Sequence, residues 1–239
     1  MGYMEIIHNT NGKLEEKNMK HIIIDLEMNK LSKTYREERF ICGMETIQIG
    51  AIVLDDQYQE IGSFNTLVKP QYNDRIEPYY SKLTGITTEM VQNAPEFETA
   101  IRMFFSWCAS MNEARIYQWS ESDLDQITKE LALKQIQLEP EYLSLLENWS
   151  DFQKEFGDEL HISRSLALKT AVDMAGLDFN GEAHNALNDA RTTAELLRTV
   201  HTPALRQSAL DRVVELMTPK TIGTSIGSLF NFSELGFSA

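Results

Sequence analysis

A single α/β domain with ragged ends is the fold class that three observations predict. The first third of the chain holds three strand-like runs, residues 21–26, 45–54 and 61–68. From residue 96 onward, apolar residues recur mostly at helical spacing, over 96–110, 123–134, 141–147, 165–175, 185–200 and 205–217. No internal repeat and no long linker separates these runs, and 239 residues suit one domain plus tails.

Each element has its own signal. Residues 21–26 (H-I-I-I-D-L) are a short apolar run ending in an acid, the pattern of a fully buried strand. Residues 45–54 alternate and are rich in β-branched side chains. Asp55, Asp56 and Gln57 mark a hairpin turn into 61–68, so at least two strands are antiparallel; Lys69 and Pro70 end the third. Residues 87–94 fit a short helix capped by Thr87 or Thr88. Phe97, Ile101, Phe104, Phe105 and Cys108 then define a helix. Residues 115–119 form a brief strand, and 149–153 a last short one. Leu124, Ile127, Leu131 and Leu133 repeat along a helix over 123–134.

The amphipathic run 165–175 takes Ser163 or Ser165 as its cap and stops at Gly176. A long helix over 185–200 gathers Ala186, Leu187, Ala190, Ala194, Leu197 and Val200 on one side, and Pro203 closes it. Three parts are expected: a polar extension over 1–20, a domain over 21–202, and a helix with an apolar tail over 203–239.

Composition narrows the class. Hydrophobic residues make up 42% of the chain, enough for a sizeable core. No stretch approaches the roughly 18 consecutive apolar residues of a membrane span, so no membrane association is expected. Residues 1–20 lack the basic-then-apolar order of a secretory signal. Cys42 and Cys108 are too few for a disulfide framework or a cysteine-based zinc site. A reducing, cytoplasmic setting is the default expectation. Lys+Arg 22 against Asp+Glu 36 gives a net charge of −14. That balance excludes a protein gripping long nucleic acid through many phosphates, but is compatible with a short single strand met by metal ions and a few local cations.

The acids carry the chemistry. Asp25 and Glu27 stand two apart at the end of the first strand, so both carboxylates face one side. Two like charges that close are unfavourable unless a cation neutralises them, and a hard divalent ion with oxygen ligands does so. The plainer alternative places one acid in solvent. Near the start of the long helix, His184 and Asp189 lie about one and a half turns apart and can border one cleft. The plain reading there is a capping His and a solvated Asp. Asp123, directly after Ser120, Glu121 and Ser122, could equally be a helix cap.

Their order resembles the DEDDh exonucleases, which include the polymerase proofreading subunit, ribonuclease T and the Eri-type exoribonucleases. The first motif matches Ile24-Asp25-Leu26-Glu27, the second Trp119-Ser120-Glu121-Ser122-Asp123, and the third His184-x-Ala186-x-x-Asp189-Ala190. Ile47-Gln48-Ile49-Gly50-Ala51, Leu67-Val68-Lys69-Pro70, Leu83-Thr84-Gly85-Ile86-Thr87 and Ala94-Pro95-Glu96-Phe97 match as landmarks. Three departures stand out. Ser120 replaces the usual glycine, leaving Asp125 as an alternative to Asp123; Asn188 stands where relatives often carry an extra Asp; Met28-Asn29-Lys30-Leu31 replaces the common Thr-Gly pair.

The resemblance implies an RNase H-like fold with a mixed five-stranded sheet flanked by helices, and a 3′→5′ exonuclease releasing nucleoside 5′-monophosphates. Asp25, Glu27, Asp123 and Asp189 would hold two Mg²⁺ or Mn²⁺ ions, and His184 would be the general base. Met28, Leu31 and Leu83 would meet the terminal bases, with core packing as their alternative role. Lys30, Lys82 and Arg191 are candidate phosphate contacts, or plain surface cations. Single-stranded RNA or short oligoribonucleotides are the expected substrate, with likeness closest to the Eri-type branch. DNA trimming is the second reading, and a binding module without chemistry the third. The apolar tail, with Ile226, Leu229 and Phe230, is open to three readings: docking on a protein partner or, as a homodimer, on a second subunit, folding back on the domain, or disorder.

Overall fold

The computed structural model describes residues 19–218 apart from 180 and 182. The polar extension and the apolar tail, including the tail residues just named, lie outside the described residues. Five strands form one sheet in the order β3-β2-β1-β4-β5. They are β1 (Lys20–Lys30), β2 (Met44–Leu54), β3 (Glu60–Leu67), β4 (Ala114–Gln118) and β5 (Trp149–Asp151). β1 occupies the middle, antiparallel to β2 and parallel to β4; β3 is antiparallel to β2, and β5 parallel to β4. The first strand therefore does not end at its acids. After a bulge between Glu27 and Met28 it continues pairing with β2, through Met28 with Thr46 to Lys30 with Met44.

Helices cover both faces. In chain order they are α1 (Glu38–Ile41), α2 (Pro78–Thr84), α3 (Thr88–Val91), α4 (Phe97–Ala109), α5 (Ser122–Leu133), α6 (Pro140–Leu146), α7 (Phe152–Glu159), α8 (Leu168–Ala175), α9 (Ala186–His201) and α10 (Pro203–Met217). Strand alternation sorts the core. Ile22, Ile24 and Leu26 pack with Phe97, Ile101, Phe104 and Ile127 from α4 and α5. Ile23 packs on the other side with Phe152, Phe156, Ala190, Ala194 and Leu197 from α7 and α9. By the same alternation Asp25 and Glu27 share the face of Ile23, the side covered by α9.

Local readings differ from the structure at short elements. α8 begins at Leu168 with Ala167 at its cap position, so neither Ser163 nor Ser165 caps it. Residues 149–153 divide: the strand ends at Asp151, whose carboxylate accepts the Lys154 N–H and starts α7. α7 escapes a periodicity reading because only Phe152, Phe156 and Gly157 of its eight residues are buried. α2 has proline at its start and Gly85 in the left-handed conformation at its end (φ 73°).

Two buried carboxylates lock the entrance of β2. Glu45 accepts the backbone N–H groups of Gln71, Tyr72 and Asn73. Glu130 of α5 accepts from the Thr46 N–H and hydroxyl and from Gln126. Lys134 Nζ lies between them, 3.3 Å from Glu45 and 2.7 Å from Glu130. Among the described residues no helix is long and apolar enough to cross a membrane.

Candidate active site

Three elements deliver the acids. β1 carries Asp25, half-buried, and Glu27, buried. α5 carries Asp123 inside its first turn, with Glu121 at the cap position, so Asp123 is not the cap. Its Oδ1 accepts the backbone N–H of Leu26 at 3.1 Å, which ties α5 to the residue between Asp25 and Glu27. Gln118, at the end of β4, accepts the Leu124 N–H at 2.8 Å and satisfies one donor at the helix start. Asp125 points elsewhere: it is exposed and pairs with Lys129 at 2.6 Å.

α9 brings the third motif. It is seated on the sheet at Gly50, where an added Cβ would stand 2.3 Å from the Ala186 carbonyl carbon and the Leu187 nitrogen. Gly50 is the β2 partner of Asp25, so this close approach sets α9 beside the first motif. Gln48 fixes the register by accepting the Ala186 N–H at 3.2 Å while donating to Asn65. Asn185 caps the helix, accepting the Asn188 N–H. His184 precedes it with φ 63° and an exposed side chain, and its N–H donates to Asp189 Oδ2 at 3.2 Å. Ligand atoms of Glu27, His184 and Asp189 all lie within 4.8 Å of one another.

The electrostatics are those of acids crowded with little water. Burial, and then the charges of Asp123, Asp189 and Glu27, hold the Asp25 carboxyl well above the usual range. Burial, reinforced by Asp189 and Asp123, pushes Glu27 up to about 8. Burial lifts Asp123 to about 7 against the opposing hydrogen bond from Leu26. Burial likewise lifts Asp189 to about 6, against the His184 N–H. Asp189 Oδ1 is buried and lacks a hydrogen-bond partner among the described residues. An unpartnered carboxylate oxygen among other acids is the kind of atom a cation can satisfy, and an oxygen-rich set suits hard divalent ions. The residues fit such ions.

The other expected residues divide. Leu31 is 1% exposed and packs with Cys42 and Leu133, so it is first a core side chain. Met28 and Leu83 are half-buried. Arg191 is held by Glu60 at 3.0 Å and is not a free cation. Gln48 and Gly50, read from sequence only as landmarks, hold α9 in place. The signal for Gly50 was a glycine inside a β-branched run, which marks a close backbone approach.

Comparisons with known proteins bear on the fold and the family. The chain is 29% identical over 209 residues to ERI1 exoribonuclease 2 of Danio rerio, covering 78% of this chain and 36% of the relative. It is 24% identical over 157 residues to 3′-5′ exoribonuclease 1 of Rattus norvegicus, covering 64% of this chain and 45% of the relative. It thus spans less than half the length of these curated relatives. Among solved structures, the nuclease domain of 3′hExo, described as a DEDDh family member bound to rAMP, superimposes with a TM-score of 0.68. That match has 19% identity and covers 80% of this chain and 96% of that domain, a likeness of fold that is RNase H-like. The family profile described as RNase T exonuclease matches residues 22–197, and the chain belongs to that exonuclease family.

Proposed function

We propose that the chain is a metal-dependent 3′→5′ exonuclease that trims single-stranded RNA and releases nucleoside 5′-monophosphates. One observation carries the reading: Asp25, Glu27, Asp123 and Asp189 converge from three elements, and Asp189 Oδ1 is left unsatisfied. The RNA preference is supported by the exoribonuclease relatives. Asp25, Glu27, Asp123 and Asp189 would hold the divalent ions, Mg²⁺ or Mn²⁺ in this proposal. When bound, such ions supply the Lewis acidity that makes a water nucleophilic and stabilises the departing 3′-oxygen.

The protein's own groups do the rest. His184, exposed beside Glu27 and Asp189, takes the proton of the attacking water. The water oxygen bonds to phosphorus as the bond to the upstream 3′-oxygen breaks; that oxygen takes a proton from solvent and His184 returns its own to solvent, giving a 5′-monophosphate and a strand one nucleotide shorter. The left-handed backbone at His184 and its N–H on Asp189 fix where the imidazole hangs. Leu26, through Asp123, keeps the first and second motifs in register.

The test is degradation of 5′-labelled RNA and DNA of one sequence, with Mg²⁺, with Mn²⁺ and with EDTA. The proposal expects a metal-dependent ladder shrinking from the 3′ end, faster on RNA. Faster DNA cleavage would give the DNA reading precedence, and no cleavage of either polymer would overturn the enzyme reading.

A further inference from the structure

Beyond the acids, β1 runs into a groove of about 490 Å³ whose lining includes Lys30, Ser32, Lys33, Glu77, Tyr79 and Tyr80. Lys30 lies three residues past Glu27 on the same strand, roughly 10 Å along it. We propose that this groove grips the RNA strand upstream of the scissile nucleotide, with the lysines on phosphates and Tyr79 under a base. The inference rests on the exonuclease reading and adds to it the residues that hold the body of the substrate.

Three observations support it. First, charge: in a chain of net charge −14, Lys30 and Lys33 are exposed and form no ion pair among the described residues. Some cations elsewhere are engaged, Lys134 by Glu45 and Glu130, Lys154 by Glu121 and Asp151 and Arg191 by Glu60, whereas Lys30 and Lys33 line the groove unpaired, as Lys82 and Arg75 also are among the described residues. Free cations beside an acidic centre suit a polyanion that must be led to it. Glu77 in the same lining keeps the groove far from a strongly basic patch, which fits a short footprint.

Second, an aromatic: Tyr79 is 69% exposed and stands edge-on to Tyr80, ring centroids 5.1 Å apart at 89°. Tyr80 braces the ring, and the exposure of Tyr79 leaves ring surface for a base to stack on.

Third, the groove is built in advance. Asn29, fully buried, donates to the Arg75 carbonyl at 3.3 Å and accepts the Glu77 N–H at 3.0 Å. Asn73 accepts the Ser32 N–H at 3.0 Å and donates to the Lys30 carbonyl at 2.7 Å. These two side chains stitch the segment after β1 to the segment before α2, and the buried Leu31 forms the floor. A preformed groove binds without the cost of ordering its walls.

The experiment uses the full chain in EDTA, so that binding is read apart from hydrolysis. Fluorescence anisotropy with labelled RNA is competed by a dinucleotide or by an oligomer of about 12 nucleotides, across a salt series. Wild type is expected to bind the longer RNA about tenfold more tightly. The Lys30→Ala/Lys33→Ala double variant is expected to lose most of that advantage and to lower the salt slope by about 1.4, for two phosphates at ~0.7 each. Tyr79→Ala is expected to lose the advantage with little change in slope. Circular dichroism checks that these surface variants are folded.

Variants that keep the wild-type length ratio and slope would overturn the proposal. So would a wild type indifferent to length, which would leave the groove to a protein partner. If wild type binds by length yet degrades no RNA, the enzymatic reading falls and the groove stands.

Discussion

Gly50 and Ala186 meet backbone to backbone: a Cβ on Gly50 would stand 2.3 Å from the Ala186 carbonyl carbon. Because Gly50 pairs with Asp25, this one approach decides how far Asp189 and His184 sit from the first motif. Gly50→Ala forces α9 off the sheet by an ångström or so. Overpacking of this kind costs about 1–3 kcal/mol, and a shift of that size lowers kcat by roughly 100-fold. Urea unfolding and single-turnover rates check both, and a variant with wild-type kcat would show that α9 is positioned by something else.

The crowded acids set a pH dependence. Carboxyls raised to about 8, 7 and 6 at Glu27, Asp123 and Asp189 keep protons in the fold that the unfolded chain releases near pH 4. The fold therefore binds the extra protons, and metal-free stability falls as pH rises through that window. Buried His21, pushed down to about 4, titrates with the opposite sign, so the comparison must be between variants. Glu27→Gln is expected to be more stable than wild type in EDTA at pH ~8, by about 1–2 kcal/mol, and to lose that advantage near pH 5. Thermal melts at the two pH values test it. An equal difference at both would mean that Glu27 carries no such burden.

Divalent ions should relieve the same repulsion. Mn²⁺ or Mg²⁺ is expected to raise the melting temperature of wild type at pH ~8 by several degrees, and far less that of Asp189→Asn. Equal shifts in the two proteins would place cation binding elsewhere.

Lys134 lies between two carboxylates that are themselves buried, Glu45 and Glu130. Removing its charge leaves both uncompensated. Lys134→Met is expected to cost about 3–5 kcal/mol in urea unfolding, and a cost under about 1 kcal/mol would show that the hydrogen bonds to the two carboxylates hold them without it.

How much of this was legible in the sequence depends on length and on partners. Strand 61–68 and helices 96–110, 123–134 and 185–200 were readable because each repeats a burial pattern over several turns or pleats, and 45–54, buried at nearly every position, because of its β-branched run. α2 and α7 were not: α2 buries only Thr84, and α7 only Phe152, Phe156 and Gly157, so neither carries the apolar stripe that marked α8. Asp25, Glu27, Asp123, His184 and Asp189 were singled out by their order and by their resemblance to the DEDDh motifs, not by spacing alone. The motif match already favoured Asp123 over Asp125; the Leu26 hydrogen bond to Asp123, a link across 97 residues, is what no local pattern announces. For Leu31 the sequence left a substrate wedge and core packing both open; its burial against Cys42 and against Leu133 of α5 depends on long-range packing that local sequence cannot place.

The central claim is that these acids and His184 form one hydrolytic centre working from the 3′ end. Its most direct test is a time course on RNA labelled at the 5′ or the 3′ end with Mn²⁺, comparing wild type with Asp25→Ala and His184→Ala. The account predicts immediate release of a labelled 5′-monophosphate from the 3′ end by wild type, slowed by roughly 100-fold or more in both variants. Internal cleavage by wild type, or wild-type rates in either variant, would contradict it.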